Sequence, residues 1–143
     1  MSVSRVVYFS SALAPSVDRW NEAIATAGFP TRFEETDFEL DDVEGFVAMN
    51  HEGIETGFEL FFEPSDEREL EPRVREAIGA RDAALAFVTH SDMRGLATAV
   101  VAAAALATLT GGVVHDEESD ELVLASDALA AARELLESIR GDL

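Results

Sequence analysis

Three histidines, His51, His90 and His115, are the side chains in this 143-residue chain best suited to moving a proton near neutral pH. Two of them have chemically suggestive neighbours. His115 opens the run Asp116, Glu117, Glu118, Ser119, Asp120. His115, Asp116 and Asp120 are therefore candidate ligands for a divalent cation, one imidazole with two hard oxygen donors. A metal site needs three or four convergent donors, however. No H-x-x-x-H, H-E-x-x-H or EF-hand spacing is present, and the acidic loop lacks a glycine. The competing reading is an exposed hairpin turn.

His90 leads into Ser91 and Asp92 where a strand meets a helix, a common position for sites. Ser10 or Ser11, just after the first strand, could complete a Ser-His-Asp arrangement. The G-x-S-x-G elbow is missing. The alternative is that Ser91 or Asp92 caps the helix and His90 packs at the strand end.

Other chemistry is excluded by what is missing. Without cysteine there is no disulfide, thiolate ligand or thiol nucleophile. All ten basic residues are arginine, so Schiff-base chemistry on lysine is out. No G-x-G-x-x-G or phosphate-binding loop appears, and no cofactor is expected. Carboxylates are so abundant that no particular acid-base pair stands out.

The net charge is −19, with an isoelectric point near 4.2. This argues against nucleic acid or an anionic membrane as partner. Residues 34–71 hold fifteen acids against Arg68 alone, and residues 116–121 hold five more with no base. The other acids and arginines balance. Clustered charge of this kind attracts a cationic partner, whereas evenly spread charge is screened beyond about 8 Å. A solvated acidic surface and adaptation to a salty host are the rival explanations.

Length fits one domain, residues 1–143. The 48% hydrophobic content is that of a globular fold. The N-terminal apolar stretch is too short for a signal peptide, and the run from Gly95 to Leu109 is short and alanine-rich for a membrane span. It reads as a buried helix, and a cytoplasmic location is expected.

The elements that position these residues follow from periodicity. Val3–Phe9 and Ala83–Thr89 read as buried strands. A helix opening near Pro15-Ser16 carries Val17, Trp20, Ile24 and Ala27 on one stripe and stops at Gly28. Thr31–Leu40 suggests an edge strand plus a loop. Glu52-Gly53 predicts a two-residue turn that pairs Met49 with Thr56 and Val47 with Phe58. Pro64 ends that hairpin. Asp66 and Glu69 have capping-box spacing, but Pro72 restricts the segment to a short helix ending at Gly79. A helix from Ser91 or Asp92 to about Leu109, a short hairpin around the acidic loop, and a last helix capped by Ser126 complete the chain. Hairpins dominate over βα alternation. The expected fold is therefore α+β, a mainly antiparallel sheet of about five to seven strands with three main helices on one face.

The hairpin register has a consequence for function. Val47, Met49, Ile54, Phe58 and Leu60 face the core, while Phe46, Ala48, Glu55, Gly57, Glu59, Phe61 and Glu63 face the other way. Two phenylalanines among glutamates need a cover, either the 66–79 segment, a second subunit or a partner.

The run Ala104-Ala105-Leu106-Ala107-Thr108-Leu109-Thr110-Gly111-Gly112-Val113-Val114-His115-Asp116 resembles a segment of uncharacterised small bacterial α+β proteins. In these an alanine-rich helix ends in Gly-Gly and enters a short hairpin before a last helix. Gly57-Phe58-Glu59-Leu60-Phe61-Phe62 has the same character. In size and charge the chain also resembles acidic immunity proteins that neutralise toxins, a likeness that assigns no site residue.

These readings converge on a non-enzymatic acidic module that binds a basic protein, in its concrete form an immunity-type inhibitor. Phe46 and Phe61 would anchor the complex, and Glu55, Glu59 and Glu63 would steer it. Two alternatives stay open. One is a small hydrolase or metal-dependent enzyme using His90 or His115 with nearby carboxylates. The other is a homodimeric structural protein of a salt-adapted host.

Overall fold

A computed structural model describes residues 2–143. It contains one seven-stranded sheet in the order β2-β3-β4-β5-β1-β6-β7. The strands are β1 (Val3–Phe9), β2 (Thr31–Phe33), β3 (Glu44–His51), β4 (Ile54–Pro64), β5 (Ala83–Thr89), β6 (Val113–Asp116) and β7 (Glu121–Leu124). Every neighbouring pair is antiparallel. The helices are α1 (Val17–Thr26), α2 (Pro72–Ile78), α3 (Met93–Thr110) and α4 (Ala125–Ile139). The α+β expectation holds.

The β3–β4 register follows from its turn. Glu52 and Gly53 both take positive φ, 54° and 83°, as a tight hairpin with right-twisted strands requires. Met49 then faces Thr56, and Val47 faces Phe58.

Helices α1, α3 and α4 cover one face of the sheet. Trp20 and Ile24 of α1 share a core with Phe33, Phe58, Leu60, Leu85 and Phe87 of the strands. Helix α3 is the centrepiece of this layer. Asp92 caps it, accepting the Arg94 N–H at 3.1 Å, and Gly111 ends it in the left-handed region at φ 68°. Among the described residues α3 alone is long and apolar enough to cross a membrane, yet most of it is buried inside the fold.

Two local expectations change. Ser126 lies inside α4, whose N-cap is Leu124. The extended backbone of Leu124 runs straight from β7 into the helix, so no side-chain cap is made, and Asp127 meets the positive helix end instead. Asp66 likewise caps nothing; it falls in a 3-10 turn, Ser65–Glu67. Pro72 starts α2 instead of interrupting a helix, because its fixed φ and missing N–H suit the first helical position.

Helix α2 lies on the opposite face. Its Val74 and Ile78 pack on Val6, Tyr8 and Ala84, a small second core. Arg75 donates to the carbonyls of Ser65, at 3.1 Å, and Arg68, at 2.7 Å. Arg68 pairs with Glu63 and, at 2.9 Å, with Glu117. These bonds strap residues 64–78 over the β5-β1-β6 half of that face. The β3-β4 half has no such layer.

Candidate functional site

On the uncovered half, Phe46 is 70% exposed. Its ring lies over Gly57 of the neighbouring strand, where a Cβ would collide with it. Glycine at 57 is thus what allows the phenylalanine to lie flat on the sheet. Around this ring a hollow of about 790 Å³ is lined by Ala48, Glu34, Glu55, Glu59, Val88 and His90, among others. Asp92 adds a further carboxylate at its rim, and no arginine lines it. Glu59 is hydrogen-bonded to His90 Nε2 at 2.8 Å. Thr56 Oγ1 donates to Asp92 at 2.7 Å, tying β4 to the start of α3.

Of the five residues expected to form a binding face, Phe46, Glu55 and Glu59 line this hollow. Phe61 is half-buried on the same side of the sheet, beside Ala86 in the β4–β5 register. Glu63 is different. Its carboxylate is committed to Arg68 at the border of the α2 layer, so it is not free to steer a partner. The 66–79 segment covers the other half of the face and leaves Phe46 bare. Glu34, Val88 and Asp92 were not foreseen, because their arrival depends on β2–β3 and β4–β5 pairing. Glu34 is placed by its N–H bond to the Ala48 carbonyl at 3.0 Å.

The three histidines are far apart in role. His115 is buried, with Nε2 on Asp120 at 2.8 Å. That hydrogen bond, together with Arg73, holds Asp120 below the usual carboxylate range. Asp116, the next residue along β6, faces the opposite side of the sheet and meets Arg5 at 3.7 Å. The expected His115, Asp116, Asp120 set is therefore split. Among the described residues no group of three or more histidines and acids is placed to hold a metal.

The Ser-His-Asp arrangement does not assemble either. β1 and β5 run antiparallel with Phe9 opposite Ala83 and Val3 opposite Thr89. Ser10 and Ser11 therefore sit at one end of β5 and His90 at the other, on the order of 20 Å away at strand rise. Ser11 binds Asp82 instead, through its N–H at 2.7 Å and its hydroxyl at 2.6 Å. Asp92 is used twice, by the Arg94 N–H and by Thr56.

His51 is buried at the end of β3, 2.8 Å from Thr31 Oγ1. Burial lowers its pKa below 6.5. The unfolded chain then takes up a proton more readily than the folded one. The His51 contribution is complete above about pH 6.5 and is lost as pH falls from there through the lowered folded value. A His51→Gln variant, which keeps a polar group for Thr31, tests this by thermal melts. On acidification from pH 7.5 to 5, the wild type should lose more melting temperature than the variant; equal losses would refute the assignment.

Compared with protein-family models, with curated proteins and with solved structures, the chain has no significant match.

Proposed function

We propose that the chain acts by binding a basic protein on the uncovered half of its sheet, as an immunity-type inhibitor would. The observation that carries this reading is the exposed Phe46 ring in a hollow bounded by four carboxylates. Of these, Glu55 is unpaired among the described residues, while Glu34 meets Arg32 at 3.5 Å, Glu59 meets His90, and Asp92 is held by Thr56 and the Arg94 N–H. An aromatic anchor in a recess, rimmed by one sign of charge, is how interfaces combine hold with steering. The net charge of −19 adds a long-range pull on cations. A second copy of the chain suits the face less, since it would bring carboxylates against carboxylates.

Two measurements test this. Light scattering at low salt should give a monomer of 15.4 kDa. A dimer that dissociates in Phe46→Glu would replace the proposal with self-association. With the basic partner in hand from affinity capture, Phe46→Ala should cost about 2 kcal/mol, or roughly thirtyfold in affinity, through slower retention. Glu34, Glu55 and Glu59 changed together to Gln should slow association and flatten its salt dependence. A partner whose binding ignores all four residues would refute the surface.

A further inference from the structure

On the helical side of the sheet, away from the Phe46 face, Arg5 of β1 is buried to the point that its side chain is only 11% exposed. Its guanidinium makes no hydrogen bond to any described residue. The nearest acid, Asp116 Oδ2, stands at 3.7 Å, beyond hydrogen-bond length. Burial lowers the Arg5 pKa, which Asp116 and Glu118 only partly offset. A buried charge is normally paired and hydrogen-bonded. Here the pairing with Asp116 is long, and the guanidinium N–H groups keep a contact with solvent on the side where a cavity lies.

Those donors border a cavity of about 260 Å³ that lies between α3, α4, β6 and β7 and opens to solvent at the Ser119–Glu121 end. Its walls are apolar: Val100, Ala104, Val114, Val123, Ala132 and Leu135. Alanines on both helices leave the space open, but small residues alone would only let the helices close up. The polar end is what distinguishes it. Asp116 Oδ1 is taken by the Glu118 N–H at 3.0 Å, which leaves Oδ2 beside Arg5 as a free acceptor. Ser119 and Glu121 complete the rim. A cavity of roughly 150 Å³ already holds a benzene ring, so this one admits a branched aliphatic chain.

We propose that this cavity binds a small aliphatic α-amino acid. The ligand carboxylate takes the Arg5 fork, its ammonium takes Asp116 Oδ2, and its side chain lies between α3 and α4. A carboxylic acid without the amine would set its charge against Asp116 and Glu121. An amine without the acid would face Arg5. The zwitterion matches both ends and adds no net charge to an already acidic protein.

The test is thermal stability and methyl NMR of the full chain with L-leucine, 4-methylpentanoate and isopentylamine at equal millimolar concentrations. Leucine should raise the melting temperature by several degrees and shift the Val100, Val114 and Ala132 methyl signals; the two half-ligands should do neither. Arg5→Met and Asp116→Asn should each weaken the leucine effect at least tenfold. Should Arg5→Met not fold, Ala132→Leu, which fills the cavity and leaves both charges in place, should abolish it. No response to leucine, a response equal to that of 4-methylpentanoate, or a response undiminished in Ala132→Leu would overturn the proposal.

Discussion

Changing Trp20 to alanine should remove about 3–5 kcal/mol of folding stability, the largest effect expected for any single substitution in this chain. The side chain is fully buried. Its ring lies 4.4 Å from Phe33 of β2 and meets Phe87 of β5 edge-on at 5.9 Å. Its indole N–H donates to the Ala102 carbonyl of α3 at 2.9 Å. One residue of α1 thus joins an edge strand, a central strand and the main helix. Alanine would leave a cavity bordered by three elements that are held elsewhere and cannot all collapse into it. A domain of this size has about 5–15 kcal/mol in total, so the melting temperature should fall by roughly 6–20 °C. Trp20→Phe, which keeps most of the ring and loses the hydrogen bond, should cost far less. Denaturant melts followed by far-UV circular dichroism measure both, since the only tryptophan is the residue removed. A loss below about 1 kcal/mol for Trp20→Ala would mean that α1 is not bound to the sheet in this way.

The second large effect concerns Gly95, in the first turn of α3. In an ordinary helix interior, replacing glycine with alanine gains up to about 1 kcal/mol. Here the sign should reverse. A Cβ at 95 would stand 2.7 Å from the Gly57 carbonyl oxygen, a backbone atom that cannot swing aside. Gly95→Val should therefore cost about 1–3 kcal/mol by forcing α3 off β4. The same separation would stretch the Thr56–Asp92 hydrogen bond beside the Phe46 hollow. Calorimetry decides it: an unchanged or raised melting temperature for Gly95→Val would show that the helix start has room.

How far the sequence revealed this molecule depends on how local the controlling interaction was. The turn residues Glu52 and Gly53 carry the β3–β4 register by themselves, and with it the outward direction of Phe46 and Glu59. The ends of α3 were legible in Asp92 and Gly111 for the same reason. Ser126 misled because a serine near a helix start looks like a cap, whereas β7 simply bends into α4. The 66–79 segment was the harder case. Leu70, Val74 and Ile78 carry an apolar stripe that needs a sheet face, but which half it covers depends on its packing with Val6 and Tyr8 of β1 and on the Arg68–Glu117 pair, partners distant in the chain. Arg5 gave no signal at all, since an arginine near the start of a strand looks solvent-exposed until Asp116 and the alanines of two helices close around it.

The position of β1 has a consequence for how the protein is made. Although first in the chain, it lies inside the sheet, and its partners follow only after residues 83 and 113. During N-to-C synthesis Val6, Val7, Tyr8 and Phe9 emerge early and wait unpaired, while β2, β3 and β4 can already form their own meander. Nascent polypeptides halted before β5 should therefore be sticky at their leading end and dependent on chaperones, and refolding from denaturant should be slow for the chain's length.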